Sequence, residues 1–417
     1  MRHRLIGVLL LIVLLCGVLG GNHALARTKI TLWTFSGGTE AYQRAHESLL
    51  PEFAKAFPDV DLEISYIPNT KEKFLVAYAA GAAPDIISLR TADQASLIEL
   101  GMVAPVIPAA FGVNSKAELE RKLLPGTVQT LNYRDGQMYF MPTEISVFGL
   151  FVNNDILAQS GVAGAPKTWE ELMAMGKKLV RINSTGQYEQ IAFYIPRGWI
   201  WSSFTFPTLM YGYGIEPLTN DGKPQFSHPD AIKALNLYPE MWRTLSDPVG
   251  SVGNHWQQGK AALYWGANYQ ITTFEAANYV FDWSSTPMPK FEAGQPSTVS
   301  YALGHFVNSQ SENKDLAWEV VAFFTGPDTA EHWYATVALW HPWRGAWLDD
   351  LFKVAPRHQP FLESLEYSIP EISHPMVADI RSKLGVAETS IYRNEQSVEA
   401  AMRQLDEELT VLFASGQ

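Results

Sequence analysis

Hydrophobic positions along residues 28–100 recur with two periods, one typical of strands and one typical of helices. The run KITLWTF, from Lys29 to Phe35, is apolar and β-branched, as in a strand that is buried on both faces. The runs DVDLEISYI and PDIISL predict a second and a third strand. Helical spacing predicts one helix that begins near Thr39 and another that ends at Gly81. This alternation indicates a parallel sheet with right-handed crossovers.

The helix after the first strand has a clear apolar stripe and one disturbing residue. Its apolar positions are Tyr42, Ala45, Leu49, Leu50, Phe53 and Phe57. Pro51 falls inside this pattern and lacks the amide that a helix interior needs, so we expect a break or kink there unless Pro51 begins a new turn.

The second half of the chain is richer in helical patterns. Thr168 and Glu171 form a capping box at the start of TWEELMAMGKKLVRI, and HPDAIKALNLYPEMWRTL keeps helical spacing. GKAALYWG and VSYALGHFVN predict strands, and ENKDLAWEVVAFFTG predicts a helix that ends at Gly326. A final helix carries a stripe against the body at Val398, Ala401, Met402, Leu405, Leu409 and Leu412. No low-complexity linker interrupts the chain, so we expect two domains joined by strand crossings.

The first 26 residues have the pattern of a secretory signal peptide. Arg2 and Arg4 precede an apolar run at residues 5–19, and Ala24-Leu25-Ala26 has the form that signal peptidase recognises. The alternative is an uncleaved membrane anchor, but the apolar run is shorter than the roughly 20 residues of a spanning helix. We therefore expect cleavage after Ala26 and a periplasmic protein.

Cys16 is the only cysteine, and it lies inside this segment. A lipoprotein signal would place a small residue before the cysteine, whereas Leu15 stands there, so we do not expect lipid anchoring. The mature chain then has no cysteine and must rely on a large core without disulfides.

Length and composition indicate a soluble protein of two domains. A chain of 417 residues is too long for one ordinary core, and 47% hydrophobic with 18% charged residues is typical of globular proteins. The net charge of −12 argues against a nucleic acid as partner.

Motifs of catalysis are missing from the sequence. There is no G-x-S-x-G, no P-loop and no H-E-x-x-H, and the ten histidines do not have the spacing of metal ligands. SENK, residues 311–314, matches S-x-x-K but has none of the accompanying β-lactamase motifs. A glycoside hydrolase would need two paired carboxylates, and no pattern singles out such a pair. We expect no cofactor, no metal and no enzymatic activity.

Six segments, in order, resemble the extracellular solute-binding protein family 1, the sugar-binding receptors of ABC importers that are similar to maltose-binding proteins. They are TKITLWTFSGG, GAAPDIISL, GQMYFMPTEISVFGLFVNNDIL, PKTWEELMAMGKKL, QQGKAALYWGANY and YALGHFVNSQSENKDLAWEVVAFF. Two positions depart from the family pattern: Val152-Asn153 stands where Tyr-Asn is usual, and His305 stands where a second glycine is common.

The resemblance implies a fold of two α/β lobes with a hinge and a ligand cleft between them. We expect a signal peptide at 1–26, an N-terminal lobe at 27–143 plus 286–335, and a C-terminal lobe at 144–285 plus 336–417. The family implies a monomer that delivers a sugar or oligosaccharide to the transmembrane permease of an importer with a cytoplasmic ATPase. The alternatives are a receptor for a polyamine or a glycerol phosphodiester, and a secreted carbohydrate-active enzyme.

Candidate ligand contacts follow the predicted strands, because ligands of open α/β sheets bind beyond the carboxyl ends of strands. Sugars need polar groups for their hydroxyls and flat aromatic rings for their C–H faces. The polar candidates in the first lobe are Ser36, Gly37, Thr39, Glu40, Arg90 and Asp93. The alternative role of the residues near Thr39, and of Asp93, is to cap a helix.

The remaining candidates are aromatic residues and their neighbours. Trp199 and Trp201 lie near a predicted strand end, and we expect one of them in the core; Trp265 and Asn268 flank the turn after GKAALYW. Trp343 and Arg344 occupy the irregular stretch LWHPWRGAW. The alternative for this stretch is an apolar plug between helices.

Glu144 is the one carboxylate at the head of the apolar run MPTEISVFGLFVNND. A charge beside so much apolar surface is costly unless it is paired or solvated. Family alignment places it at the first crossing between the lobes, where we expect it to accept hydrogen bonds from ligand hydroxyls. The alternative is a structural ion pair, with Arg344 as the candidate partner.

Overall fold

The structure is a computed structural model that describes residues 27–35, 40–219, 221–247 and 255–415. The predicted signal peptide, its cleavage site and Cys16 lie outside the described residues, as do the candidate ligand contacts Ser36, Gly37 and Thr39.

The described residues form alternating strands and helices, as the sequence predicts. The strands are β1 (Thr28–Phe35), β2 (Val60–Ile67), β3 (Ile86–Arg90), β4 (Val103–Ala104), β5 (Met141–Asn153), β6 (Arg181–Ile182), β7 (Tyr188–Tyr194), β8 (Ala261–Ala267), β9 (Trp283–Thr286), β10 (Val299–Asn308) and β11 (Ile369–Pro370). The helices of the first half are α1 (Glu40–Ala56), α2 (Thr70–Ala79), α3 (Gln94–Glu99), α4 (Lys116–Lys122), α5 (Pro125–Leu131), α6 (Asn154–Gln159), α7 (Trp169–Leu179) and α8 (Trp199–Tyr211). The later helices are α9 (Pro229–Leu235), α10 (Leu237–Leu245), α11 (Gln270–Ala276), α12 (Lys314–Thr325), α13 (Ala330–Val337), α14 (Ala346–Val354), α15 (Gln359–Glu366), α16 (Val377–Tyr392) and α17 (Val398–Ser415).

The strands pair in the order β2-β1-β3-β10-β5-β8-β7-β6, with β4 and β11 on β10 and β9 on β5. β1 is parallel to both β2 and β3, which confirms the predicted parallel sheet. The first half of β5 pairs with β10, and its second half pairs with β8 and β9. β5 therefore crosses from one part of the sheet to the other, which is the strand crossing that the sequence predicts.

The buried apolar residues divide into two clusters, and β5 contributes to both. Ile145, Val147 and Phe151 belong to the first cluster, whereas Phe148, Leu150 and Val152 belong to the second. Because successive side chains of a strand point to opposite faces, one crossing strand can serve two cores. The lobe boundaries stay a prediction; Phe361 and Leu365, assigned above to the C-terminal lobe, pack in the first cluster.

Several helices differ in detail from the sequence patterns. α1 continues through Pro51, so the predicted break does not occur, because Tyr42, Ala45, Leu49 and Phe53 pack its inner face into the first cluster. The pattern at 229–245 forms two helices that meet at Asn236. Residues 199–211, interpreted above only as a strand end, form α8.

Other helix signals are confirmed. The Thr168 hydroxyl accepts a hydrogen bond from the Glu171 amide at 3.1 Å, while the Glu171 carboxylate accepts from the amide of Lys167, one residue before the expected position. α12 ends at Thr325, just before Gly326. Five residues of the predicted α17 stripe are buried, and the sixth, Leu412, is half-buried. Within the described residues, every helix is too short or too polar to cross a membrane.

Candidate functional site

Glu144 lies at an irregularity where β5 crosses the sheet. Glu144 is paired with Leu303 and Pro142 with Gly304, so Thr143 is an extra residue in β5. A Cβ atom on Gly304 would lie 2.1 Å from the carbonyl oxygen of Met141, so only glycine allows this approach of the two strands. Bulges of this kind redirect side chains and are common beside functional sites.

The Glu144 side chain is buried, with 7% of the residue exposed. Burial raises the pKa of its carboxyl to about 7, although the positive charge of Arg90 acts in the opposite direction. Among the described residues, the charge of Arg90 is the only interaction that opposes this effect, and no hydrogen bond to the Glu144 carboxyl contributes. Neither carboxyl oxygen is among the fully buried unpaired atoms of the described residues, so both remain available to accept hydrogen bonds from a ligand.

Three tyrosines lie within electrostatic range of this carboxylate. Tyr42 on α1, Tyr301 on β10 and Tyr269 after β8 all interact electrostatically with Glu144. Burial raises the pKa of each of these phenols, so each keeps its proton and can donate a hydrogen bond. The Tyr42 hydroxyl is 2.9 Å from that of Thr143 and shares a hydrogen bond with it. Sequence reasoning missed all three; the one available signal was Tyr269, directly after Asn268.

Arg90 ends β3 and is held between an aromatic face and a carboxylate. Its guanidinium lies 4.3 Å from the ring centroid of Tyr301 and 5.5 Å from that of Phe204. Its Nη2 donates to Glu371 Oε2 at 3.0 Å, and Arg381 Nη2 donates to the same oxygen at 2.8 Å. The predicted candidate Arg90 therefore lies beside Glu144, but its charge is engaged by Glu371.

Trp201 on α8 packs near the aromatic side chains, Tyr301 and Phe204, that flank Arg90. It is half-buried, and its ring meets Phe148 edge-on at 5.9 Å and Phe204 at 6.1 Å. Phe148 lies 6.1 Å from Tyr301, so Trp201, Tyr301 and Arg90 belong to one continuous group of side chains. The structure thus brings together the predicted candidates Glu144, Arg90 and Trp201.

The Asn268 side chain lies against β5 near Glu144 and forms hydrogen bonds with the β5 backbone. Its Oδ1 accepts from the Val147 amide at 2.9 Å, and its Nδ2 donates to the Ile145 carbonyl at 3.3 Å. Only 1% of it is exposed. We therefore assign Asn268 the role of positioning β5 next to Glu144, in place of the ligand contact that the sequence suggested.

Two predicted aromatic contacts belong to the cores instead. Trp265 is fully buried and stacks on Trp169 at 5.6 Å, because its position in β8 points into the second cluster. Trp343 is also buried and donates its indole hydrogen to the Thr325 carbonyl. The stretch around Trp343 is irregular, as predicted, but it fills the first cluster, so the alternative of an apolar plug holds. Neither ring can reach a ligand in this conformation.

The other predicted residues make local contacts. Arg344 donates to the Leu123 carbonyl at 2.9 Å, so it is not the partner of Glu144. Asp93 pairs with Lys71 at 2.8 Å, and the exposed Glu40 pairs with Arg44 at 3.2 Å. Trp199 is 56% exposed and borders a groove beside α16.

The Glu144 site therefore combines a carboxylate acceptor, phenol donors and an accessible indole ring. These groups suit a polar ligand that carries both hydroxyls and flat apolar faces. No group of three or more His, Cys, Asp or Glu side chains suited to a metal occurs within the part of the chain that the structure describes.

Known proteins share both the sequence pattern and the fold. The chain is 23% identical over 360 residues to the arabinooligosaccharide-binding protein of Bacillus subtilis (strain 168), an alignment that covers 79% of this chain and 77% of that relative. The sugar-binding protein MalE of Xanthomonas citri has the same fold, with a TM-score of 0.79 at 21% identity over 93% of this chain and 98% of its own. An ABC substrate-binding protein of Listeria monocytogenes, solved with cycloalternan, gives a TM-score of 0.77 at 18% identity over 93% and 99% of the two chains. The model of the bacterial extracellular solute-binding proteins matches residues 37–331, and the chain belongs to this family.

Proposed function

We propose that this protein is the solute receptor of an ABC importer and that it binds a sugar or oligosaccharide at the Glu144 site, in a cleft between two lobes. The observation that carries the proposal is the buried Glu144 carboxylate, which has no hydrogen-bond donor among the described residues and lies among phenols at the crossing strand. A ligand hydroxyl would supply the missing donor, and hydrogen bonds to a charged group are worth about 1.5–3 kcal/mol each.

The chemistry of the site favours a saccharide over the other solutes considered. A polyamine would need several free carboxylates, but Glu371 is engaged by Arg90 and Arg381. A phosphodiester would need a free arginine, and Arg90 is engaged by Glu371. Tyrosine hydroxyls and the Trp201 ring fit the hydroxyls and the C–H faces of a sugar.

The names of the similar proteins support the same ligand class. They include an arabinooligosaccharide-binding protein, a maltotriose-binding protein of Pyrococcus abyssi and solved complexes with cycloalternan and maltotetraose. A carbohydrate-active enzyme would need a second free carboxylate across the ligand from Glu144. Glu371, the buried carboxylate beside Arg90, is held by two arginines, so we infer binding without turnover.

The proposed location and partners follow from the family and from the sequence. Extracellular solute-binding proteins act outside the cytoplasm, which agrees with export by a signal peptide cleaved after Ala26. The receptor would act as a monomer and deliver its ligand to the transmembrane permease subunits of an importer whose ATPase is cytoplasmic. Nucleic acid is not a partner in this proposal.

The test is to identify the ligand and to follow its fate. Native mass spectrometry of the freshly purified protein should detect a bound saccharide. In a thermal-shift screen, malto- or arabino-oligosaccharides should raise the Tm of the protein. Putrescine and glycerophosphocholine represent the alternative solutes and should leave Tm unchanged. Product analysis should find the saccharide intact, whereas cleavage would contradict the receptor function.

A further inference from the structure

Glu388 is a buried carboxylate on α16 that forms a hydrogen bond with the residue before α8. Only 3% of Glu388 is exposed, and its Oε2 accepts from the Gly198 amide at 3.0 Å. Its Oε1 accepts a second hydrogen bond from the Tyr238 hydroxyl on α10. Hydrogen bonds to a carboxylate away from water are among the stronger ones in proteins. Glu388 therefore fixes Gly198 relative to α10 and α16.

Gly198 connects this carboxylate to the turn that carries Trp201. The Gly198 carbonyl accepts from the amides of Trp201 at 2.8 Å and of Ser202 at 3.0 Å, so Gly198 closes the first turn of α8. Its φ of +112° favours glycine. Because the two sets of hydrogen bonds use the amide and the carbonyl of one residue, a shift at Glu388 moves the turn from which the Trp201 ring projects.

Close packing between α8 and α16 supports this connection. Gly385 lies three residues before Glu388, on the same side of α16. A Cβ atom on Gly385 would lie 2.8 Å from the Cα and Cβ atoms of Trp199. The two helices therefore touch through their backbones at this point, and a densely packed contact leaves little room for one helix to slide along the other.

The same face of α16 also holds the opposite side of the Glu144 site. Arg381 and Glu388 are seven residues apart, about two helical turns, so they share one face of α16. Arg381 Nη2 donates to Glu371 Oε2 at 2.8 Å, and Arg90 Nη2 donates to the same oxygen at 3.0 Å. One rigid helix is thus connected to Arg90, whose charge acts on Glu144, and to the turn that carries Trp201.

We propose that Glu388 is a positioning residue, which acts through Gly198 to set the place of the Trp201 ring relative to Arg90 and Glu144. The inference rests on the proposed function, because it explains how one contact of that ligand site is held. Glu388 itself does not touch the ligand. A ring that is already ordered loses less conformational entropy when a sugar stacks on it, so the affinity depends on this connection.

Hydrogen–deuterium exchange of the ligand-free protein tests the connection itself. Glu388→Met keeps the length of the side chain but removes both acceptor oxygens. Exchange at the amides of Trp201 and Ser202 should then become at least about tenfold faster, because the first turn opens more often. Glu388→Gln keeps an oxygen for the Gly198 amide, and its NH₂ group can donate to the Tyr238 oxygen, so it should restore slow exchange.

A control on the same helix separates this effect from a general loosening of α16. Lys383 Nζ donates to Glu408 Oε2 on α17 at 2.8 Å. Lys383→Met removes this contact and should leave both the exchange at the start of α8 and the saccharide affinity unchanged. If Glu388→Met does not fold, Gly198→Ala takes its place, since alanine strains the same turn. Equal exchange in the wild type and in these variants would overturn the proposal.

Calorimetry with maltotriose and arabinotriose tests whether the connection serves binding. Glu388→Met should weaken the binding of the trisaccharide about tenfold, and Glu388→Gln should restore it. In the Trp201→Ala background Glu388→Met should cause no further loss, because two variants that act through one ring are not additive. Full additivity, or an unchanged affinity, would overturn the proposal. A wild type that binds no saccharide in the thermal-shift screen contradicts the proposed function, whereas the exchange at Trp201 decides separately whether Glu388 positions that turn.

Discussion

Arg90 Nη2 lies 3.0 Å from Glu371 Oε2, so the arginine whose charge acts on Glu144 is already paired with another carboxylate. Glu371 also accepts hydrogen bonds from the Thr91 hydroxyl at 3.1 Å and from the Ala92 amide at 3.3 Å. The two buried acidic residues Glu371 and Glu144 therefore have different surroundings. Glu371 ties β3 and α16 together, whereas Glu144 has no such hydrogen-bonded partner among the described residues.

Glu371→Gln should destabilise the protein strongly. Loss of its charge removes the hydrogen-bonded counterion of the buried Arg381 and of the partly buried Arg90, and breaking a buried pair in this way costs about 3–5 kcal/mol. Chemical denaturation of the ligand-free protein measures this cost. The control is Glu63→Gln, which removes an exposed pair with Lys29 and should cost less than about 1 kcal/mol. Equal, small effects of both variants would show that the Glu371 cluster is not a structural tie.

Gly304→Ala should disturb both folding and binding. The added methyl group would lie 2.1 Å from the Met141 carbonyl oxygen and 2.4 Å from the Cα of Pro142, so the backbone of the bulge must shift. We expect a loss of about 1–3 kcal/mol in unfolding free energy and weaker ligand binding, since Glu144 belongs to the same bulge. Gly164→Ala, where a Cβ would meet no atom within 4 Å, is the control and should be neutral. The measurements are the Tm of each variant and its affinity for the ligand by calorimetry, and equal values for both variants would contradict this prediction.

Trp265→Ala should lower the stability of the protein, whereas Trp201→Ala should lower its affinity for the ligand. Trp265 is fully buried in the second cluster, and its truncation should cost about 3–5 kcal/mol of stability while the affinity of the folded protein stays the same. Trp201 is half-buried beside Tyr301, so its truncation should chiefly weaken binding. If Trp265→Ala lowered affinity without lowering Tm, its placement in the core would be contradicted.

His305 should make the protein sensitive to acid. Burial, with a smaller contribution from His46, lowers the pKa of His305 to about 3, and no described residue forms a hydrogen bond with its ring nitrogens. Between pH 6.5 and pH 4 the unfolded chain binds a proton that the folded protein does not, so stability falls as the pH falls, by about 3 kcal/mol over this range for one histidine. His305→Leu removes this contribution and should flatten the curve of unfolding free energy against pH by about one proton. An unchanged curve would contradict the assignment.

The sequence predicts the elements of this protein better than its site. Periodicity identifies the strands and helices of residues 28–90 because the apolar residues of each element recur at the regular spacing of a strand or a helix. It cannot tell Trp265, which is fully buried in the second cluster, from Tyr269 four residues later, which is partly buried and interacts electrostatically with Glu144. The roles of Tyr301 and Glu371 depend on contacts with Arg90 across more than 200 residues, and neither carries a local motif. Trp199 and Trp201 differ only in which neighbouring helix or strand each one meets.

We propose that Glu144 holds the ligand and contributes little to the stability of the fold, and the variant Glu144→Gln tests both statements. The measurement is the affinity for the saccharide found in the native protein, by calorimetry at pH 8, together with Tm of the ligand-free variant. The loss of one or two charge-assisted hydrogen bonds, each worth about 1.5–3 kcal/mol, should weaken binding tenfold to more than a hundredfold. Because the folded pKa of Glu144 is raised to about 7, its charge costs stability as the pH rises through 7, and the neutral amide should keep or raise Tm. A large fall in Tm with unchanged affinity would show instead that Glu144 is a structural residue.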